Sequence, residues 1–371
     1  MIKNQKSIKN LKKLTVILTT HNSRYNFILR SLDNYQSEYG KFNLKIIISD
    51  SGNFNDFKIL KQKIAKRNYN LNFKFIHFKT SQNYKLIKRD ENGKVKYQYV
   101  ERLKNAIKFV KTEFVVLAAD DDFYLPNYFN KSINFLTNNK SFGSVYGHVL
   151  KFELNKFVPF GKINKIWLSS DNNPPNPWLE DTSFNERLNN LGKNPWSWFG
   201  WYAVQRTSLL REIIIDANIN KIDGYLFEKY VSFCVATLYR VKKLNIVYSA
   251  RQQNVVQSET VEPFSYKRNI SQYNNFVESC VKFLKKNKKI KLDLSKKIIL
   301  KINNKDLQEY KKNDTKEILR LARKKFSILN KIKNKIYKPK IETSIDRRLS
   351  NPKYFKDIKK EINYIKKIVE K

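Results

Sequence analysis

Apolar and polar positions alternate in blocks through the first 150 residues. Leu14-Thr-Val-Ile-Leu-Thr-Thr20 is an apolar, β-branched run of the kind found in strands buried on both faces. Tyr25, Ile28, Leu29, Leu32 and Tyr35 then recur at helical spacing. The order repeats: Lys45–Asp50 reads as a second strand, and Phe57, Leu60 and Ile64 mark one face of a helix. Phe73–Phe78 predicts a third strand, Val100, Leu103, Ile107 and Val110 another helix, and Phe114–Ala119 a fourth buried strand. Strand–helix alternation of this kind implies an α/β fold with a mostly parallel sheet and right-handed crossovers.

That architecture says where chemistry belongs, because open α/β sheets bind ligands beyond the carboxyl ends of their strands. The polar residues there are Thr19-Thr20-His21-Asn22, Ser49-Asp50-Ser51-Gly52 and Asp120-Asp121-Asp122. Three strand ends therefore converge on one polar crevice. From about 155 to 200 the periodicity fades into Pro and Trp punctuation, and a long irregular stretch in a compact protein is usually functional or mobile. A helix-then-strand pattern returns over 222–250, ending in Leu244-Asn-Ile-Val-Tyr248. Beyond about 268 the chain reads as basic amphipathic helices; Phe355, Ile358, Ile362, Ile365 and Val369 trace the apolar face of the last.

Composition narrows the classes. The 371 residues carry 74 Lys and Arg against 33 Asp and Glu, a net charge of +41, with 41% hydrophobic residues and a mean hydropathy of −0.61. The basic residues are spread along the chain and accompany no zinc finger or RNA-reading aromatic motif, so nucleic acid is not the expected partner. The two cysteines, Cys234 and Cys280, lie in apolar helical stretches and are expected as buried free thiols. His21, His77 and His148 are too scattered for a zinc site, and no Gly-rich loop ending in Lys-Ser/Thr marks a P-loop. No apolar run approaches the roughly 20 residues of a spanning helix, and Leu14–Leu18 is too short for a signal-peptide core. The expectation is a cytoplasmic protein, with peripheral contact on an anionic inner membrane face as a secondary use for the basic helices.

Three consecutive aspartates at the end of a buried strand repel one another, and near a low-dielectric wall one is driven toward protonation. A divalent cation, Mg²⁺ or Mn²⁺, relieves the conflict while binding substrate phosphates. The plainer alternative is a solvated acidic loop at the start of a helix, where Asp is welcome.

Thr15-Val-Ile-Leu-Thr-Thr-His-Asn-Ser-Arg24, Ile48-Ser-Asp-Ser51 and Leu117-Ala-Ala-Asp-Asp-Asp-Phe-Tyr-Leu-Pro126 together resemble family 2 glycosyltransferases of bacterial surface-polysaccharide type, with the GT-A fold. The resemblance covers residues 12–150 well and 195–255 loosely. It implies a Rossmann-like glycosyltransferase domain over 12–265, with a nucleotide-sugar half (12–150) and an acceptor half (151–265), followed by a basic helical region over 266–371. It also implies sugar transfer from a nucleoside-diphosphate sugar, a UDP-sugar by default, to a hydroxyl of a glycan or lipid-linked acceptor, with inversion. Asp50 matches the base-reading position, and Thr20, His21 and Arg24 match the first loop, although an aromatic residue is commoner where His21 stands. Aligning Leu125-Pro126 with the family's Leu-Pro places Ala119 and Asp121 at the two acidic positions, whereas a literal Asp-x-Asp gives Asp120 and Asp122. Asp121 is taken as principal metal ligand with Asp120 and Asp122 assisting, and Asp120 is also assigned to the donor nucleotide.

Transfer to a hydroxyl needs a carboxylate base. Counting back from Ser249-Ala-Arg251, which resembles the family's closing strand-plus-Arg pattern, lands on Glu228, with Asp223 as the second candidate or a helix N-cap. Pro195-Trp-Ser-Trp-Phe-Gly-Trp201 offers Trp198 and Trp201 as acceptor-stacking residues, against the alternative of a core cluster. Arg251 is read either as a phosphate contact or as an ion-pair partner. A nucleotidyltransferase on a related fold and a noncatalytic nucleic-acid-binding protein are the competing functions.

Overall fold

The computed structural model describes residues 11–21, 24–78, 88–89, 95–96, 99–125, 128–155, 158–169, 179–193, 202–220, 222, 224–253, 266–291, 296–300, 308, 344–345 and 358–370. The chain opens with β1 (Leu14–Thr20), α1 (Tyr25–Tyr39), β2 (Lys45–Asp50), α2 (Phe54–Lys66) and β3 (Asn72–His77). A short hairpin of β4 (Lys88–Arg89) and β5 (Val95–Lys96) precedes α3 (Tyr99–Ile107), β6 (Phe114–Ala119), β7 (Asp122–Tyr124) and α4 (Tyr128–Asn138). Next come β8 (Phe142–Leu154), β9 (Ile163–Leu168), α5 (Phe184–Lys193), β10 (Val204–Arg206), α6 (Thr207–Ile219), α7 (Gly224–Leu238) and β11 (Arg240–Gln252). The chain ends with α8 (Tyr266–Lys288), β12 (Ser344–Ile345) and α9 (Ile358–Val369).

The expected α/β architecture is what the chain builds. One ten-stranded sheet runs β12-β9-β8-β10-β6-β1-β2-β3, and β11 joins it by pairing with both β7 and β8. Strands β6, β1, β2 and β3 are mutually parallel, so their carboxyl ends share one edge. β1 is buried along its whole length, as its apolar, β-branched run predicts. The helical faces read from sequence are the faces that pack: Ile28, Leu29, Leu32 and Tyr35 of α1, Phe57, Leu60 and Ile64 of α2, and Val100, Leu103 and Ile107 of α3 are buried. Asn53 starts α2 by accepting the Asn55 N–H at 2.8 Å.

Two regions depart from the sequence pattern. β8 is 13 residues long and runs up to the stretch where periodicity faded, pairing antiparallel with β9, which lies inside that stretch. β11 is likewise longer than Leu244–Tyr248 and runs parallel to β8 with register shifts. Gly147 explains part of the concealment, since a Cβ there would stand 2.5 Å from the Ile246 carbonyl oxygen. The glycine that weakens the strand signal is what lets β11 approach.

The core has two parts. The larger lies between the sheet and its helices, with α3 on α6, α6 on α7, and α7 on α5 and α8. Cys234 and Cys280 sit in it as buried free thiols. The smaller unites Phe123 and Leu125 with residues of β8, β9 and β11 and with Ile358, Ile362, Ile365, Ile368 and Val369 of α9. The apolar face of the last helix is thus occupied by protein, while Lys359, Lys360 and Lys367 face solvent. No helix among the described residues is long and apolar enough to cross a membrane.

Candidate functional site

Strand register assembles the site. Thr20 lies opposite Asp50, Asp50 opposite His77, and Thr19 opposite Ala119, so the ends of β1, β2, β3 and β6 stand side by side. Asp50 is fully buried. Tyr25 Oη donates to its Oδ1 at 2.9 Å, the Gly52 N–H donates to Oδ2 at 3.0 Å, and His77 Nδ1 lies 2.9 Å from Oδ2. Burial pushes the Asp50 carboxyl up, and these three partners pull the other way. The His77 ring stacks on Phe57, with Phe54, 53% exposed, beside it.

The acidic triplet occupies a tight turn, not a helix start: β6 ends at Ala119, β7 begins at Asp122, and the next helix begins only at Tyr128. Thr20 Oγ1 donates to Asp120 Oδ2 at 2.8 Å. Arg24 Nε donates to Asp120 Oδ1 at 2.9 Å, and its Nη2 lies 2.8 Å from Asp120 Oδ1 and 2.6 Å from Asp121 Oδ2. Arg251 Nε donates to Asp122 Oδ2 at 3.0 Å, its guanidinium lying 4.3 Å from the Tyr202 ring centroid. A third guanidinium, Arg30, is wholly buried and donates to the Asp121 carbonyl at 2.5 Å. Three arginines thus face three aspartates, and the repulsion read from the sequence is relieved largely by the protein itself.

The balance is not complete. Burial holds Asp120 and Asp122 up, to about 6, with Arg24 and Arg251 respectively working against it. For Arg24 burial opposes the charge, and Asp120 and Asp121 overcome it and raise its pKa. Burial lowers Arg30 to about 10, which leaves it charged at neutral pH. His21 is pushed down to about 4 by burial and by Arg24 and Arg102, so it is neutral at pH 7.

Glu228 comes from α7, and burial raises it to about 8 despite the opposing charge of Arg251. Its Oε2 is shut off from solvent without a hydrogen-bond partner among the described residues, and so is Asp122 Oδ1. Arg251 contacts the acidic turn directly, and its charge opposes the rise at Glu228. Thr20, His21, Arg24, Asp50, Asp120, Asp121 and Asp122 are placed around the sheet edge, and Glu228 is buried on α7 within electrostatic reach of Arg251. Asp223, Trp198 and Trp201 lie outside the described residues.

Tyr25, His77, Arg102 and Arg30 escaped the sequence reading. His77 ends the third parallel strand and follows the strand-end rule applied to the other three. Tyr25 and Arg30 sit on a helix whose apolar spacing masked their polar ends. Arg102 Nη1 donates to Ser51 Oγ and, at 3.4 Å, to the Thr20 carbonyl, tying the first two loops together. No local signal announces that reach.

Among the described residues no group of three His, Cys, Asp or Glu side chains is arranged as a metal cage. Mg²⁺ and Mn²⁺ bound with a diphosphate need only one or two carboxylates. The turn fits that lesser demand: Asp122 Oδ1 is an unpartnered acceptor, and the Asp121 side chain is 18% exposed against 7% and 8% for its neighbours.

No protein-family model and no curated protein matches the chain. Among solved structures it is similar to S. aureus TarS residues 1–349 in complex with UDP-GlcNAc, at 14% identity and a TM-score of 0.47, over 79% of this chain and 72% of that one. The mannosyltransferase PcManGT from Pyrobaculum calidifontis, in complex with GDP-Man and Mn²⁺, superposes with a TM-score of 0.38 at 14% identity, over 76% of this chain and 70% of that one.

Proposed function

We propose that the protein is a metal-dependent glycosyltransferase that moves a sugar from a nucleoside-diphosphate sugar, a UDP-sugar by default, to a hydroxyl of a glycan or lipid-linked acceptor. One observation carries the reading: the ends of β1, β2 and β6 bring Thr20, Asp50 and the 120–122 turn to one edge of a parallel sheet. That edge is where such sheets receive nucleotides. In this reading Asp50, with Tyr25 and His77 on it, faces the base. Thr20, His21, Arg24 and Asp120 line the nucleotide, and Asp121 and Asp122 would hold Mn²⁺ or Mg²⁺, which when bound would supply positive charge for the departing diphosphate.

Glu228 is the proposed base. It takes the proton of the acceptor hydroxyl as that oxygen bonds to the anomeric carbon, and the bond to the diphosphate breaks with its electron pair leaving on the phosphate oxygen. A carboxylate raised to about 8 is a stronger proton acceptor than an ordinary glutamate once ionised. Attack opposite the leaving group inverts the anomeric centre. Asp223 is the second candidate for the base, and Trp198 and Trp201 for acceptor stacking. The division into a catalytic domain over 12–265 and a basic helical region belongs to the same proposal, as does a place at the cytoplasmic membrane face.

The test is product analysis with uridine and guanosine diphosphate sugars and Mn²⁺. Release of free nucleoside diphosphate at the rate sugar is transferred supports the reading. Pyrophosphate released from a nucleoside triphosphate indicates nucleotidyl transfer instead.

A further inference from the structure

The acidic turn has a second set of partners, on its backbone. β7 pairs on one side with β11, Leu125 N–H donating to the Tyr248 carbonyl at 3.0 Å. Among the described residues its other edge meets no strand, although Phe123, Tyr124 and Leu125 are buried. Buried carbonyls on an unpaired edge are costly unless something donates to them.

Side chains of α1 supply the donors. Ser31 Oγ lies within hydrogen-bond reach of both the Asp120 and Asp122 carbonyls, at 2.9 and 3.0 Å. Arg30 Nη2 donates to the Asp121 carbonyl, Asn34 Nδ2 to the Tyr124 carbonyl at 3.1 Å, and Tyr39 Oη to the Leu125 carbonyl at 3.1 Å. The carbonyls of 120, 122 and 124 alternate along the chain, as they must to point to one side of a strand. One helix thus does the work of a missing neighbouring strand.

The far end of the chain reaches this ladder. Tyr364 Oη, from α9, donates to Asn34 Oδ1 at 2.5 Å, which leaves the Asn34 amide nitrogen turned toward Tyr124. The isoleucines of the same helix belong to the core cluster that holds Phe123 and Leu125. The helix is anchored further by Gly161 N–H to the Val369 carbonyl and Ile163 N–H to Glu370 Oε1.

We propose that Ser31 and Asn34 are positioning residues that fix the backbone of the acidic turn so that its carboxylates face the donor, and that Tyr364 of the C-terminal helix sets Asn34 for this role. Fixing the backbone leaves the three side chains free to meet ligand without the turn giving way. The inference rests on the donor-site reading for what the turn is positioned to meet, but the clamp itself is a statement about the fold.

Ser31→Ala removes a hydroxyl shared by two carbonyls, and Tyr364→Phe removes only the phenol oxygen while keeping the ring. Amide hydrogen exchange over 120–125, referenced to β1 and β2, reads the clamp, and the affinity for UDP with Mn²⁺ reads the positioning. We expect exchange in the turn to quicken at least about fivefold in Ser31→Ala and less in Tyr364→Phe, the loss of about one net hydrogen bond. We expect UDP·Mn²⁺ to bind more weakly in the same order, with exchange in β1 and β2 unchanged. Unchanged exchange in the turn overturns the clamp. Faster exchange with unaltered UDP·Mn²⁺ affinity overturns the positioning role. A wild-type protein that binds no nucleoside diphosphate overturns the donor-site reading and with it the positioning role, and the exchange comparison still decides the clamp.

Discussion

Two buried acidic sites lie side by side on the sheet edge and are neutralised differently. Asp50 is met by a phenol, an imidazole and a backbone N–H, and no guanidinium is recorded on it among the described residues. The 120–122 turn is met by Arg24 and Arg251 on its carboxylates and by Arg30 behind it. A carboxylate wrapped in short-range donors is held in one shape and orientation. Carboxylates paired to arginines keep oxygens in reserve, as Asp122 Oδ1 shows, and their partners can turn to a phosphate. The first site is built to recognise, and the second to take on charge.

The difference can be broken in graded steps. The largest effect is expected outside both sites, at the base: Glu228→Gln should lower kcat by about 10² to 10⁴-fold. In the wild-type enzyme the acid form cannot accept a proton, so kcat/KM should fall as pH drops below about 8 and level off above it. The Gln variant should lose that limb of the pH profile. Asp121→Asn, at the most exposed of the three, should cost roughly 100-fold in metal-dependent turnover while the fold survives. A mutant that keeps full Mn²⁺-dependent turnover removes Asp121 from the site.

Stability sharpens the contrast. Arg24→Ala strips a buried cation from two aspartates and should destabilise by about 3–5 kcal/mol in urea unfolding. Part of that loss should return at low pH, because the orphaned carboxylates can then protonate. Tyr25→Phe removes one neutral donor from Asp50 and should cost only about 1 kcal/mol. Equal losses for the two substitutions would mean that the two sites are not held differently.

Much of the N-terminal half was legible because β1, β2 and β6 are buried on both faces and the helices on one. Thr20, Asp50 and Asp120 could be brought together from sequence since parallel strands put their carboxyl ends on one edge. The second half hid its sheet. β8 carries Gly143 and Gly147, Pro159 interrupts the gap before β9, and the two strands pack with β11 and α9, partners far away in sequence. The amphipathic pattern of α9 was plain, but where it docks was not, for the contact with Phe123 and Leu125 spans more than 200 residues of sequence. Arg30 was hidden for the same reason: it reads as an ordinary basic residue among many, and only the fold brings it to the turn. Arg251 stood out in the sequence as a phosphate contact or an ion-pair partner, but its pairing with Asp122 comes from the fold.

The central claim, that the turn of Asp120, Asp121 and Asp122 receives the donor diphosphate, is tested most directly by calorimetric titration of UDP, with and without Mn²⁺, into wild-type protein and Asp121→Asn. The account predicts that Mn²⁺ tightens UDP binding to the wild type and that Asp121→Asn loses this increment. UDP binding that is indifferent both to Mn²⁺ and to Asp121, or its absence from the wild type at millimolar nucleotide, would contradict it.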